Sequence, residues 1–334
     1  MSATISRSTT ASKIAGAAAV LVAASLIAAP WWGNVATERL IGEFMVYLAL
    51  ASLWNLLAGY AGLVSVGQQA FVGFGAYTVF SLALLESWNP LYAVPVAGLA
   101  TAAVAVPVAR LVFRLQGAYF AIGTWVVAEV FRLVFAQISA LGGGSGKSMP
   151  TDVVKLIGAS KFWREATIYW LALALGLGAL AIVYALLRSP VGLALTAIRD
   201  NETASVSLGV RIERVKFFVY VLVAGLTGMV GGLFALQKIR ISPDAAFSVN
   251  DWTAFVIFIV VIGGIGTIEG PIIGTFVYFL LREFLSDLGS IYLLILGMLA
   301  IAVMLVAPKG LWGYVKSRFQ LYLFPTGYRV IGTD

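Results

Sequence analysis

The stretch that decides the fold is LIGEFMVYLALASLWNLLA, residues 40–58, followed without a gap by GYAGLVSVGQQAFVGFG, residues 59–75. The first half is an apolar run of the length a helix needs to cross the hydrocarbon of a bilayer, roughly 20 residues. The second half breaks that pattern with glycines and two amides. The same alternation of long apolar runs and short polar joints fills the chain. Of 334 residues, 61% are hydrophobic and only 11% are charged, against roughly half apolar and a quarter charged in soluble domains.

These proportions predict an all-α, polytopic integral membrane protein with about ten transmembrane helices. Helices are the spanning form because lipid offers backbone groups no partner. The expected spans are 14–33, 40–58, 64–86, 91–109, 118–138, 167–187, 216–236, 252–268, 271–285 and 290–307. The chain then divides into an N-terminal tail (1–13), a transmembrane unit (14–307) containing a polar loop at 188–215, and a C-terminal tail (308–334). Arg7 and Lys13 ahead of an Ala-rich run resemble the start of a leader peptide, but that run is long for one, and a retained helix is the expectation.

Lys and Arg set the orientation. With the N-terminus in the cytoplasm, thirteen fall inside and seven outside, and Arg132 and Arg282 fall within spans. The bias predicts both termini in the cytoplasm. It also accounts for the net charge of +7 without nucleic acid. Trp31, Trp32, Trp88, Trp163, Trp170, Trp252 and Trp312 fall near span ends, where amphipathic rings anchor.

The chain has no Cys and no His. Thiolate chemistry, zinc–cysteine sites, a Ser-His-Asp triad and the HExxH motif are excluded. No catalytic group, metal site or cofactor is expected, because no paired carboxylate or Ser–Lys constellation has convincing spacing. Gly146-Lys147-Ser148 looks like the end of a phosphate-binding loop. However, the required first glycine is Leu141, no strand precedes it, and the topology places it outside.

A second glycine-rich joint, residues 262–275, has a spacing loosely shared with the first: Gly62 with Gly264, Ser65 with Thr267, and Gly73 with Gly274. This suggests a degenerate internal repeat. Glycine inside a helix costs about 1 kcal/mol relative to alanine, and non-helical backbone at membrane depth survives where protein or a wet cavity surrounds it. Paired breaks in corresponding halves point to a transport pathway. The candidate pathway residues are Gly62, Ser65, Gln68, Gln69, Gly73, Gly264, Gly266, Thr267 and Glu269. Close helix packing is the competing explanation for the glycines, and Glu269 has a second placement, in a short cytoplasmic turn.

In the loop at 188–215, Pro190 suits a helix start and Gly209 a helix end. Leu193, Ala197, Ala204 and Leu208 form one apolar side, interrupted near Asp200-Asn201. Two short surface helices result, suited to docking a partner or to resting on headgroups. The mixed charges of Arg199, Asp200 and Glu202 favour the partner. Elsewhere, Glu129 and Arg132 share a face of the fifth span, as pathway groups or as an ion pair between helices. Glu43 poses the same choice. Ala224, Gly228 and Gly232 form a packing ridge, and Arg282, Glu283 and Asp287 are expected to be solvated at a span end.

Three motifs resemble LivM-type permeases of branched-chain amino-acid ABC importers. The first glycine stretch is similar to that family's GxxGxxSxGxxxFxGxGAY pattern, down to Gly75-Ala76-Tyr77. The run Ala197-Ile198-Arg199-Asp200-Asn201-Glu202 resembles its coupling segment. Pro308-Lys309-Gly310-Leu311-Trp312-Gly313 resembles its ending. The resemblance covers roughly residues 40–313. It implies a homologous permease partner, two cytoplasmic ATPases docked on the 188–215 loops and a periplasmic solute-binding protein, in a bacterial inner membrane. It assigns Arg199, Asp200, Asn201, Glu202, Ala204 and Gly209 to the coupling loop. The run from Glu202 to Gly209 is one residue longer than the standard spacing, Lys147 stands where relatives carry Leu, and the tail after Gly313 is long. Relatives carry amino acids, amides or urea. A stand-alone transporter driven by an ion gradient, with Glu43, Glu129 or Glu269 as relays, is the alternative.

Overall fold

The computed structural model describes residues 4–6, 10–158, 160–285, 288–289, 291–319, 323–325 and 329–331. After a short strand β1 (Thr4–Ser6) come α1 (Thr10–Ile27), the one-turn α2 (Ala29–Trp32), α3 (Val35–Asn55), α4 (Gln68–Leu85), α5 (Pro90–Val112) and α6 (Ala118–Ala136). A joint holding β2 (Lys147–Ser148) and α7 (Thr151–Lys155) leads to α8 (Lys161–Leu187), then α9 (Pro190–Asp200), α10 (Glu202–Ser207) and α11 (Ile212–Lys238). The chain finishes with β3 (Arg240–Ile241), α12 (Pro243–Ala246), α13 (Phe255–Gly263), α14 (Glu269–Leu285), α15 (Ile291–Val306), α16 (Gly310–Phe319) and β4 (Arg329–Ile331).

Among the described residues, eight helical runs are long and apolar enough to cross a bilayer: 35–60, 68–85, 90–112, 118–136, 161–187, 212–238, 243–263 and 291–319. Ten were expected from the sequence. Of the other two, α1 contains a shorter apolar stretch, Ser12–Ile27, and α14 carries Glu269, Arg282 and Glu283. α14 has 17 residues, about 26 Å at 1.5 Å per residue. β1 pairs antiparallel with β4. Both termini therefore lie at one end of the bundle, which requires an even number of crossings.

The core is built from α3, α4, α11 and α13. Trp54, Tyr77, Tyr220, Phe71 and Phe80 are among its largest buried side chains. The ridge on α11 packs as expected and extends further. A side chain at Gly75 on α4 would overlap the Gly228 carbonyl, one at Gly231 the Val72 carbonyl, and Gly98 and Gly225 bring α5 up against α11. Small residues let these backbones approach where lipid supplies no hydrophobic drive. α15 keeps only Leu296 buried, so its apolar surface faces outward.

Gly146-Lys147-Ser148 forms no phosphate-binding loop. Lys147 and Ser148 are the strand β2, paired antiparallel with Ile241 and Arg240 of β3. Arg282 is not solvated at a span end. It makes a bidentate ion pair with Glu43, at 2.9 and 2.8 Å, and lies over the Phe279 ring at 4.9 Å. A charge this close to lipid needs a partner, and the partner sits 239 residues away in sequence. Asp287 and Arg7 fall outside the described residues.

Candidate functional site

The first break begins where α3 loosens into a π-helical turn, Leu56–Tyr60. Gly62 then takes φ +69°, a conformation costly for side chains with a Cβ. Residues 61–67 form no helix. Backbone bonds from Ala61 N to the Leu56 carbonyl and from Leu63 N to the Leu57 carbonyl hold their start, and side chains hold the rest. Trp54 Nε1 donates to the Ser65 carbonyl at 2.8 Å, Val66 N donates to Thr124 Oγ1 at 3.1 Å, and Gly67 N donates to Ser65 Oγ at 3.2 Å. α4 starts only at Gln68.

The second break separates α13 from α14. Gly264 and Gly266 have φ of +131° and +74°. Thr267 Oγ1 donates to the Gly264 carbonyl at 2.7 Å and accepts from Gly270 N at 3.0 Å. Ser65 and Thr267 thus play matching roles, each accepting a backbone N–H at the start of the next helix, as N-terminal hydroxyls do. Both stretches are helix, glycine joint, helix.

The two joints meet through Asn55. Its Nδ2 donates to the Thr267 carbonyl at 2.7 Å and its Oδ1 accepts from Gly266 N at 2.8 Å. Asn55 is 1% exposed, so both bonds are made away from water. Gly59 lies flush against Gly266, where any added Cβ would fall 2.5 Å from the Gly266 nitrogen. Sequence pattern alone does not single out Asn55, Trp54 or Thr124. A lone Asn in an apolar run is the available signal, since an intramembrane amide needs a partner.

The structure divides the sequence-derived pathway residues into three places. Gly264, Gly266 and Thr267 sit at the meeting of the joints. Gly62 opens onto a groove of about 1260 Å³ whose walls include Val64, Arg110, Arg114, Glu202 and Lys216. Ser65, Gln68, Gln69 and Gly73 lie deeper. Gln69 Oε1 accepts from Thr253 Oγ1, and Gly73 is pressed against the Phe247 ring. Thr253 precedes the second joint by ten residues, about 15 Å of helix. Gln68 is 3% exposed with neither amide atom partnered among the described residues. Glu269 is engaged elsewhere as well. Its Oε1 accepts from Phe324 N at 3.1 Å and so holds part of the C-terminal tail.

Beside the joints stand α9 and α10. Ser189 caps α9, and Asn201 accepts from Ala204 N at 2.9 Å to start α10 after the break at Asp200. Gly209 closes the pair at φ +81°. Leu195, Ile198 and Ser205 face inward, while Leu193 and Leu208 are 74% and 79% exposed. The apolar side read from the sequence is thus presented outward. Glu202 pairs with Lys216 at 3.0 Å, and Arg199 with Asp200 at 3.3 Å. The Arg199 guanidinium also lies 5.8 Å from the Tyr60 ring, and its Nη1 would be 3.7 Å from a Cβ at Gly266. Arg199 of α9 therefore stands over the first joint and beside the second.

Glu129 and Arg132 pair at 2.6 Å, and Arg132 continues to Asp244 on α12 at 2.8 Å. This is a clamp between α6 and α12, with Asp244 79% exposed. Exposed pairs contribute about 1 kcal/mol or less. Arg132→Leu is expected to lower thermal stability only slightly and to leave solute uptake near wild type. Complete loss of uptake with an unchanged melting temperature would place the pair on the pathway instead. Among the described residues, no group of His, Cys, Asp and Glu could hold a metal ion.

Comparison with known proteins agrees with this architecture. The family model described as branched-chain amino acid transport system / permease component matches residues 36–308. The high-affinity branched-chain amino acid transport system permease protein LivM of Escherichia coli (strain K12) is 30% identical over 328 residues, covering 90% of this chain and 76% of that protein. The probable branched-chain amino acid transport permease protein LivM of Methanocaldococcus jannaschii is 23% identical over 277 residues, covering 73% and 79%. The autoinducer 2 import system permease protein LsrC of Salmonella typhimurium is 27% identical over 261 residues, covering 73% and 69%. No solved structure matches the chain. The paired helix breaks, the outward helical pair and a family match spanning the whole bundle together place this chain in the family of permease components of branched-chain amino acid transport systems.

Proposed function

We propose that this chain is the membrane-spanning permease subunit of an ATP-driven importer in a bacterial inner membrane. Its cargo is a branched-chain amino acid or a related small polar solute such as an amide or urea. It pairs with a homologous permease. Two cytoplasmic ATPases seat on the α9–α10 pairs, and a periplasmic binding protein delivers solute to the opposite end. Both termini then lie in the cytoplasm, at the end carrying α9 and α10.

The observation that carries this reading is Arg199. It belongs to the helical pair that presents Leu193 and Leu208 outward, and it lies against Tyr60 and Gly266, one from each joint. Movement of a docked subunit is thereby passed directly to the broken helices. The three carboxylates that the ion-coupled alternative would use as relays are already engaged. Glu43 and Glu129 are in ion pairs, and Glu269 accepts a backbone N–H.

The test is Glu202→Lys combined with Gly209→Arg. The first change turns the Lys216 pair into a repulsion, and the second puts a long side chain on a left-handed backbone position. The expected result is complete loss of ATPase co-purification, with normal membrane insertion. Unchanged co-purification refutes the docking role. Uptake by the reconstituted chain alone, driven by a proton or sodium gradient, supports the alternative.

A further inference from the structure

A second cavity lies at the opposite end of the bundle from α9 and α10. It is enclosed by the first turns of α3 and α8 and the last turns of α11, with a volume of about 440 Å³, within the range of small-ligand sites. Its walls carry aromatic, acidic and basic side chains, with Glu43 and Glu165 held in ion pairs with Arg282 and Arg39. Tyr47, Phe234 and Trp252 form an aromatic floor, with the Phe234 and Trp252 rings 4.7 Å apart and edge-to-face. Glu38 lines the cavity and is 6% exposed, and its Oε2 is fully buried with no hydrogen-bond partner among the described residues. Lys161, Arg164 and Lys238 line the mouth, and none of them has a carboxylate partner among the described residues.

A buried carboxylate oxygen without a donor is expensive. Its natural complement is a group bearing several N–H donors and a positive charge. The neighbouring cations do not supply it: Arg39 is turned to Glu165 at 3.1 Å and is itself 72% exposed. We propose that this cavity is a solute site for a zwitterion with an apolar side chain. The ammonium meets the part of the Glu38 carboxyl that lines the cavity, the carboxylate meets Lys161, Arg164 and Lys238, and the side chain lies on the Trp252 floor. The site rests on the amino-acid cargo proposed for the importer and adds a binding site contained in this one chain. Gly42 marks how the site is kept open. A Cβ there meets only ordinary contacts, Gln237 Nε2 at 3.5 Å and Ala172 Cβ at 3.8 Å, so a larger side chain would occupy the cavity rather than displace backbone.

The test is equilibrium binding of radiolabelled L-leucine to the purified full chain in lipid nanodiscs. Competitors are isoamylamine, which lacks the carboxylate, and isocaproate, which lacks the ammonium. Saturable leucine binding is expected, weakened at least about ten-fold by Glu38→Gln, as loss of a charge-assisted bond implies. Isoamylamine should compete better than isocaproate. Gly42→Leu should abolish binding without lowering the melting temperature, and it decides the matter if Glu38→Gln fails to fold. The site is refuted by absence of saturable binding, by wild-type affinity in either folded variant, or by competition from isocaproate alone. ATPase co-purification reports separately on the importer reading. A chain that recruits the ATPase but binds no leucine sinks only this site, and one that binds leucine but recruits no ATPase sinks only that reading.

Discussion

Asn55→Leu is expected to destabilise the bundle by about 2–4 kcal/mol and to reduce solute uptake to background. The side chain makes two bonds to the backbone of the second joint, to Gly266 N and the Thr267 carbonyl. Leucine is of comparable size, so packing changes little. What changes is that a buried N–H and a buried C=O each lose their partner, and each loss costs about 1–3 kcal/mol. The joint cannot re-form a helix to recover them, because Gly264 and Gly266 hold positive-φ conformations. Asn55→Asp separates the two bonds: it keeps the acceptor for Gly266 N and loses the donor to Thr267. Asn55→Asp is expected to be at least as destabilising as Asn55→Leu at neutral pH, because it sets a buried carboxylate oxygen against the Thr267 carbonyl, and to recover as pH falls and the carboxyl gains a proton to donate. Equilibrium unfolding in mixed micelles measures both, and wild-type stability in Asn55→Leu would show that the joints are not held together at this residue.

The second large effect is steric. Gly75→Ala should cost several kcal/mol or prevent folding, since the new methyl would sit inside the van der Waals radius of the Gly228 carbonyl. Overpacking of one methylene typically costs about 1–3 kcal/mol when side chains can yield. Here the obstacle is backbone on α11, which cannot yield without moving the helix. Gly178→Ala on α8 is the control. Nothing lies within 4 Å of the place a Cβ would take there, so the change is expected to be neutral or to stabilise by up to about 1 kcal/mol through helix propensity. Melting temperatures of the two variants in one detergent give the comparison. Equal values would mean that the α4–α11 approach is looser than described.

These two residues also show what can be read from the chain. The crossings are legible because hydrophobic length is a local property. Both joints are legible because Gly, Ser and amides cluster within a few residues of each other. Gly75 is visible as part of that cluster. Asn55 is not, because its meaning lies in residues 211 and 212 positions away. Arg282 reads as solvated for the same reason, its partner Glu43 being on a distant helix. Glu269 looks like a pathway carboxylate, and its actual partner is a tail amide at Phe324 that no periodicity announces. Depth is hidden too. Gln69 and Gly266 belong to stretches that align in sequence, yet Gln69 meets Thr253, about 15 Å along the helix from the second joint.

The seven residues 61–67, between the π-helical turn and α4, carry one further implication. Half of their tethers are side chains reaching in from elsewhere or the segment's own hydroxyl, Trp54, Thr124 and Ser65, and the rest are backbone bonds at Ala61, Leu63 and Gly67. A helix can yield only by unzipping its ladder turn by turn. A segment held in part by side-chain pegs can be lifted off one and set on another at the expense of a single exchange, so amide hydrogen exchange from Val64 to Gly67 should outpace that of the helices on either side and should respond first when the neighbouring subunit cycles.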